Sequence, residues 1–214
     1  MNDEPTYDCS NSKASPELPV SWGLRGAEKR LFQRVFKPQD TLLEVDCGEG
    51  RIALSLWEVG YQKTLGVDAS RAKIVAARRH NRIREYGVCF RTAPSTALNF
   101  DSALFEGVIW DAERLPKMPD TVQLRNTFTE IYRVATPGAW FIFTTPLALS
   151  NETLAPQAPD NVLTDTMETL RCEAQEVGFH TEVDILSSFL DRKVDREYRF
   201  WVFQKPEKPS DKKM

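Results

Sequence analysis

Hydrophobic positions along the chain change period several times. Ala27, Leu31, Phe32 and Val35 recur at helical spacing and Pro38 ends the run, which predicts a helix. TLLEV from Thr41 then reads as a buried strand, RIALSLWEVG as a helix closed by Gly60, and KTLGVD as a second strand. A long helix from Ser70 to Tyr86 follows, then strands VCFRT and FEGVIWD, a helix over 121–135, and the β-prone run AWFIFTTP. Leu163, Met167, Leu170, Ala174 and Val177 give another helical stripe ending at Gly178. Two strands close the pattern, TEVDILSSFL and EYRFWVFQ, with no room between them for a crossover helix, so they form an antiparallel hairpin. Strands alternating with helices predict an α/β, Rossmann-like doubly wound fold, its mostly parallel sheet covered on both faces.

The pattern fails at both ends. Residues 1–20 are polar, rich in Ser, Pro, Asp and Asn, and read as a disordered or lid-like tail; 206–214 are a second polar tail. The folded domain is expected over 21–205. A length of 214 residues suits one such domain. The net charge of −3 gives no general attraction to nucleic acid or to an anionic membrane. Cys9, Cys47, Cys89 and Cys172 are scattered, with neither a C-x-x-C pair nor neighbouring histidines, so no metal site and no disulfide framework is expected. No signal peptide and no membrane span is read, and a cytoplasmic location is the expectation.

The chemistry concentrates after the first strand. LLEVDCGEGRIALSL is a strand, a tight loop with Gly48 and Gly50, then a helix whose first-turn amides lack intrahelical partners. Asp68 lies eighteen residues past Gly50, at the tip of the second strand. A carboxylate there can accept hydrogen bonds from both ribose hydroxyls of an adenosine ligand. One Gly-x-Gly alone is a weak signal; the strand, the helix and the distant acid make it stronger. Gly48 to Ala53 also fits the dinucleotide fingerprint G-x-G-x-x-G/A, so an NAD-dependent oxidoreductase is a rival reading. Against it stand the terminal hairpin and the lack of hydride-transfer apparatus around His80 or His180.

From about Asp40 to Pro146 the chain resembles the class I S-adenosylmethionine-dependent methyltransferases, in particular their type 11/12-like small-molecule group. Their first motif, (E/D)-x-G-x-G-x-G, is matched by Glu44 to Gly50; their second-strand acid by Asp68; their fourth-strand motif by FEGVIWD; and their later R-x-L-x-PGG by EIYRVATPGAWFIF. The resemblance implies a seven-stranded sheet, S-adenosylmethionine as cofactor and S-adenosylhomocysteine as product. By the same token Glu44, Asp46, Cys47, Gly48, Gly50, Asp68, Ala69 and Ser95 would line the cofactor. Two positions depart from the family. Asp46 stands where the first glycine is expected, and Ser95 lies in TAPS, where an acid is common after the third strand. An acid at Asp46 can hold the cofactor's ammonium or repel its carboxylate.

Asp111, ending the fourth strand, is the candidate general base near the transferred methyl; capping a loop amide is the plainer reading. Trp110 is a candidate to pack over adenine or sulfonium, and Trp22 with Arg25 to close a lid, each weighed against simple core or surface packing. The basic residues of the Ser70–Tyr86 helix lack interleaved aromatics and read as a solvated face. Phe141, Phe143, Phe200, Trp201 and Phe203 read as sheet core. Neither N-P-P-Y nor a catalytic Pro-Cys is present, so nucleobase acceptors are disfavoured and a small-molecule acceptor is expected. A catalytically inactive methyltransferase-like scaffold is the alternative, motivated by Asp46 and Ser95. The acceptor and the oligomeric state are not encoded in these motifs.

Overall fold

The computed structural model describes residues 23–111, 121–146, 171–183, 189–191 and 196–207. Helices α1 (Gly26–Val35), α2 (Arg51–Glu58), α3 (Arg71–Ile83) and α4 (Thr121–Val134) alternate with strands β1 (Leu42–Val45), β2 (Thr64–Asp68), β3 (Cys89–Thr92), β4 (Phe105–Asp111) and β5 (Ala135–Pro146). Residues 171–177 are helical, and β6 (His180–Val183), β7 (Phe189–Asp191) and β8 (Arg196–Gln204) follow. The N-terminal tail, residues 208–214 of the C-terminal one, Trp22 and the stripe residues Leu163, Met167 and Leu170 lie outside the described residues.

The strands form one sheet in the order β3-β2-β1-β4-β5-β8-β6, with the short β7 pairing β8. The first five positions on that path are parallel, and β8 runs antiparallel to β5, β6 and β7. The α/β doubly wound fold is therefore present, with its C-terminal antiparallel element. The expected strand TEVDILSSFL is represented by two pieces, β6 and β7, each against β8.

The strand period divides the core by face. Leu43, Val45, Val108, Trp110, Phe141 and Phe143 join one cluster with Phe128 of α4 and with Phe179 and Phe203. Their intervening neighbours Leu42, Ile109 and Ile142 join a second cluster with Phe32 of α1 and Ile52 of α2. In the first, Phe128 meets Phe141 and Trp110 edge-on, with centroids 5.4 and 5.9 Å apart, and Phe141 stacks on Phe203 at 5.6 Å. These aromatics are core. The strand order reverses at β1, which lies between β2 and β4, so the loops leaving β1 and β4 open the crevice where such sheets bind ligands.

Candidate functional site

Three residues in the loop after β1 hold left-handed backbone: Asp46 at φ 52°, Gly48 at 58° and Gly50 at 86°. The loop is closed by Gly50 N–H donating to the Cys47 carbonyl at 2.9 Å and tied to β2 by Cys47 N–H donating to the Val67 carbonyl at 2.8 Å. Gly50 is the N-cap of α2, and a Cβ there would stand 2.6 Å from Cζ of Phe90. Its glycine is thus required by φ and by packing, before any ligand is considered. Asp68 pins the loop from the side. Its Oδ2 accepts the Gly48 N–H at 2.9 Å and its Oδ1 the Ser70 N–H at 2.8 Å, while Lys73 Nζ stands 3.7 Å away.

The other acids divide by face. Glu44, buried on the α2 side, accepts the Ala53 N–H at 2.7 Å and so satisfies one of the free amides at the start of α2. This places the expected cofactor acid as a helix cap. The Cys47 thiol is buried; burial pushes its pKa well up, and the carboxylates of Glu44, Asp68 and Asp46 push it further. It stays a protonated thiol beneath the loop.

Arg51, the first residue of α2, anchors the α1 side. Its Nη1 and Nη2 donate to Glu28 Oε2 and Oε1 at 2.8 and 2.7 Å, Nη2 also to Asp111 Oδ2 at 3.1 Å, and Nη1 to the Gly23 carbonyl at 3.1 Å. Burial works against this cation, but the hydrogen bonds and charge of Glu28, with Asp111 and Glu44, more than offset it and raise the Arg51 pKa. Asp111 is 3% exposed and bound to Arg51. The expected general base is therefore one arm of a buried ion network. Arg25 belongs to the same corner: its N–H donates to Glu28 Oε2 at 2.7 Å. The sequence reading singled out neither Arg51 nor Glu28. A signal existed, because an arginine opening a helix opposes the helix dipole and calls for an acid close by.

Asp46 faces the other way. Its Oδ2 accepts the Trp110 indole N–H at 2.8 Å. Burial raises the Asp46 pKa and the Asp68 charge adds to the rise, while Trp110, Ser95 and Lys73 oppose it. Ser95, the other position that departs from the expected motif, thus helps to hold the Asp46 charge. Trp110 is 1% exposed, its ring 4.9 Å from that of Phe143 between the sheet and α4. This corrects the expectation of a ligand-facing ring: only the indole nitrogen meets the site. Ala69 is exposed and Ser95 half-buried at the rim.

Among the described residues no His/Cys/Asp/Glu group could hold a metal ion, and no helix is long and apolar enough to cross a membrane. Cys47, Cys89 and Cys172 are free thiols.

A methyltransferase-domain family model matches residues 42–138. A demethylmenaquinone methyltransferase of Symbiobacterium thermophilum is 30% identical over 142 residues, 64% of this chain and 53% of that protein. An eEF1A lysine and N-terminal methyltransferase of Xenopus laevis is 26% identical over 117 residues, 52% of this chain and 17% of that protein. The chain thus spans about half the length of the first relative and a small part of the second. Among solved structures, a methyltransferase from Methanosarcina mazei superposes with a TM-score of 0.67 at 18% identity, covering 87% of this chain and 100% of that one. A geranyl diphosphate C-methyltransferase from Streptomyces coelicolor, solved with S-adenosyl-L-homocysteine, gives 0.61 at 14% identity, covering 84% and 80%.

Proposed function

We propose, from the premise that this chain belongs to the class I S-adenosylmethionine-dependent methyltransferases, that it transfers a methyl group to a small-molecule acceptor in the cytoplasm. The oxidoreductase alternative falls with that membership. The observation that carries the proposal is the glycine loop pinned by Asp68 at the point where the strand order reverses. Each Asp68 oxygen accepts one loop amide and keeps acceptor capacity for a ribose hydroxyl. The residues present fit S-adenosylmethionine: an oriented acid at the tip of β2, a left-handed loop leading into α2, and a second carboxylate at the crevice.

When bound, that cofactor supplies an electrophilic methyl on a sulfonium, itself a good leaving group. The chain's task is then to hold the acceptor in line, and positioning of this kind is worth about 7–11 kcal/mol of a barrier. In this reading Asp68 orients the loop and the ribose. Asp111 is a positioning residue: through Arg51 it fixes the start of α2, and it is not assigned to proton removal. The acceptor class rests on the mild net charge, on the absence of the nucleobase-methylating tetrapeptide, and on kinship with an enzyme named for demethylmenaquinone. The kinship with an enzyme of eEF1A makes a protein amine the acceptor to test against it.

One observation favours a second reading, an inactive scaffold: Asp46 occupies the place of a motif glycine and already has protein partners. Calorimetric titration with S-adenosylmethionine, S-adenosylhomocysteine and NAD decides between them. Micromolar binding of the sulfur ligands alone, weakened in Asp68→Asn, supports the enzyme and opens an acceptor screen with labelled methyl donor. Absence of binding gives the scaffold reading the lead.

A further inference from the structure

The crevice carries a carboxylate that no cation among the described residues pairs with. Asp46 is half-buried, and its side-chain partner, the Trp110 indole at 2.8 Å, is a neutral donor. Among the described residues it forms no salt bridge. The charged groups that act on it are Asp68, which repels it, and Lys73 of α3, the weakest of the influences on it, whose amine stands 3.7 Å from Asp68. Arg51, the cation at the start of α2, is taken up by Glu28 and Asp111. A neutral cysteine, Cys47, follows it in the chain.

The backbone adds to the argument. A non-glycine residue at φ 52° carries a cost of about 1–2 kcal/mol that a glycine would avoid. Partly burying a carboxylate beside another carboxylate adds a second cost. Both are offset if a ligand brings the missing positive charge.

We infer that Asp46 is a recognition carboxylate for a primary ammonium, the one on the amino-acid head of the bound cofactor; this rests on the cofactor reading above. Hydrogen-bond chemistry selects the ammonium over the other candidates. A sulfonium has no N–H to donate, and an adenine amine is neutral and leaves the charge uncompensated. An ammonium offers three donors and a full charge to a carboxylate whose orientation Trp110 has already fixed. Asp46 in place of the motif glycine is then a relocated contact.

The test compares two neutral-sulfur ligands that differ in the amino-acid head: S-adenosylhomocysteine, which has it, and 5′-methylthioadenosine, which lacks it. Both are titrated into the full chain as wild type, Asp46→Asn and Asp46→Gly. Asparagine keeps an acceptor for the Trp110 N–H, and tryptophan fluorescence reports that the contact survives. The expected result is a loss of at least about tenfold in S-adenosylhomocysteine affinity in Asp46→Asn, the size of a charge-assisted hydrogen bond. Methylthioadenosine affinity should change less than about twofold, since it makes no such bond. Equal changes for both ligands, no change for either, or tighter S-adenosylhomocysteine binding by Asp46→Gly would overturn the inference and leave Asp46 as a strut for Trp110. If the wild type binds neither ligand, the cofactor reading fails first and takes this one with it.

Discussion

Two carboxylates leave neighbouring strands at the same end of the sheet, and their surroundings are opposite. Asp111, at the end of β4, is sealed with Glu28 around Arg51, so two acids and a guanidinium share one buried corner. Asp46, just past β1, has one neutral donor, Trp110, and feels a second acid, Asp68, more strongly than the Lys73 amine. The first arrangement pairs its charges within the protein and holds α1, α2 and β4 together, leaving the Arg51 Nε buried without a partner among the described residues. The second has no ion pair among the described residues. A residue's charge thus says less about its role than whether the fold already supplies its counter-charge.

The comparison breaks most visibly at Arg51. Arg51→Met removes the guanidinium that joins Glu28 to Asp111, and an unfolding free energy lower by about 3–5 kcal/mol is expected in urea denaturation. A loss below about 1 kcal/mol, the surface-pair range, would mean that the corner is wetter than its geometry. Gly50→Ala forces a Cβ against Phe90 at φ 86°. The left-handed backbone and the overpacking together predict a loss of about 2–4 kcal/mol by the same measurement.

A finer contrast lies in pH. The folded-state pKa of Asp46 is raised above its ordinary 3.8, so the folded protein binds more protons than the unfolded chain just above that pH. Its contribution to stability is complete below 3.8 and is lost as pH rises through the folded value. Asp46→Asn should flatten that part of the stability–pH curve, measured by urea midpoints from acid to neutral pH. An unchanged slope would show that the carboxylate is already compensated. The smallest effect belongs to Lys73, whose side chain is 48% exposed. Lys73→Ala should alter stability by less than about 1 kcal/mol and leave the Asp46 slope in place.

How far the sequence reaches can be judged at these same residues. The loop with Gly48 and Gly50, the helix that follows it and Asp68 at a strand tip are local events, written in consecutive residues and their periods. They stand where the pattern puts them. The bond of Arg51 to Glu28 and to Asp111 spans 23 and 60 residues and exists only because the strand order brings α1 and β4 to α2. Trp110 was ambiguous for another reason. The period of β4 puts it on the opposite face from Ile109, but which face meets α4 is a matter of topology. Glu44 reads as a cofactor acid from its motif, and only the path of the backbone brings the Ala53 amide to it.

The position of β8 bears on how the chain assembles as it is made. The last of the described strands lies inside the sheet, with β5 on one side and β6 on the other, and also pairs β7. On the ribosome, β1 to β5 can gather as they emerge, each new strand meeting one already in place. His180–Val183 cannot do the same, since its partner follows it out of the exit tunnel. Until then the β5 edge, with Phe141 and Phe143, stays open to chance pairing. Vectorial synthesis therefore leaves these pairings to β8, which seats Phe203 in the core and supplies the missing neighbour of β5, β6 and β7 at once.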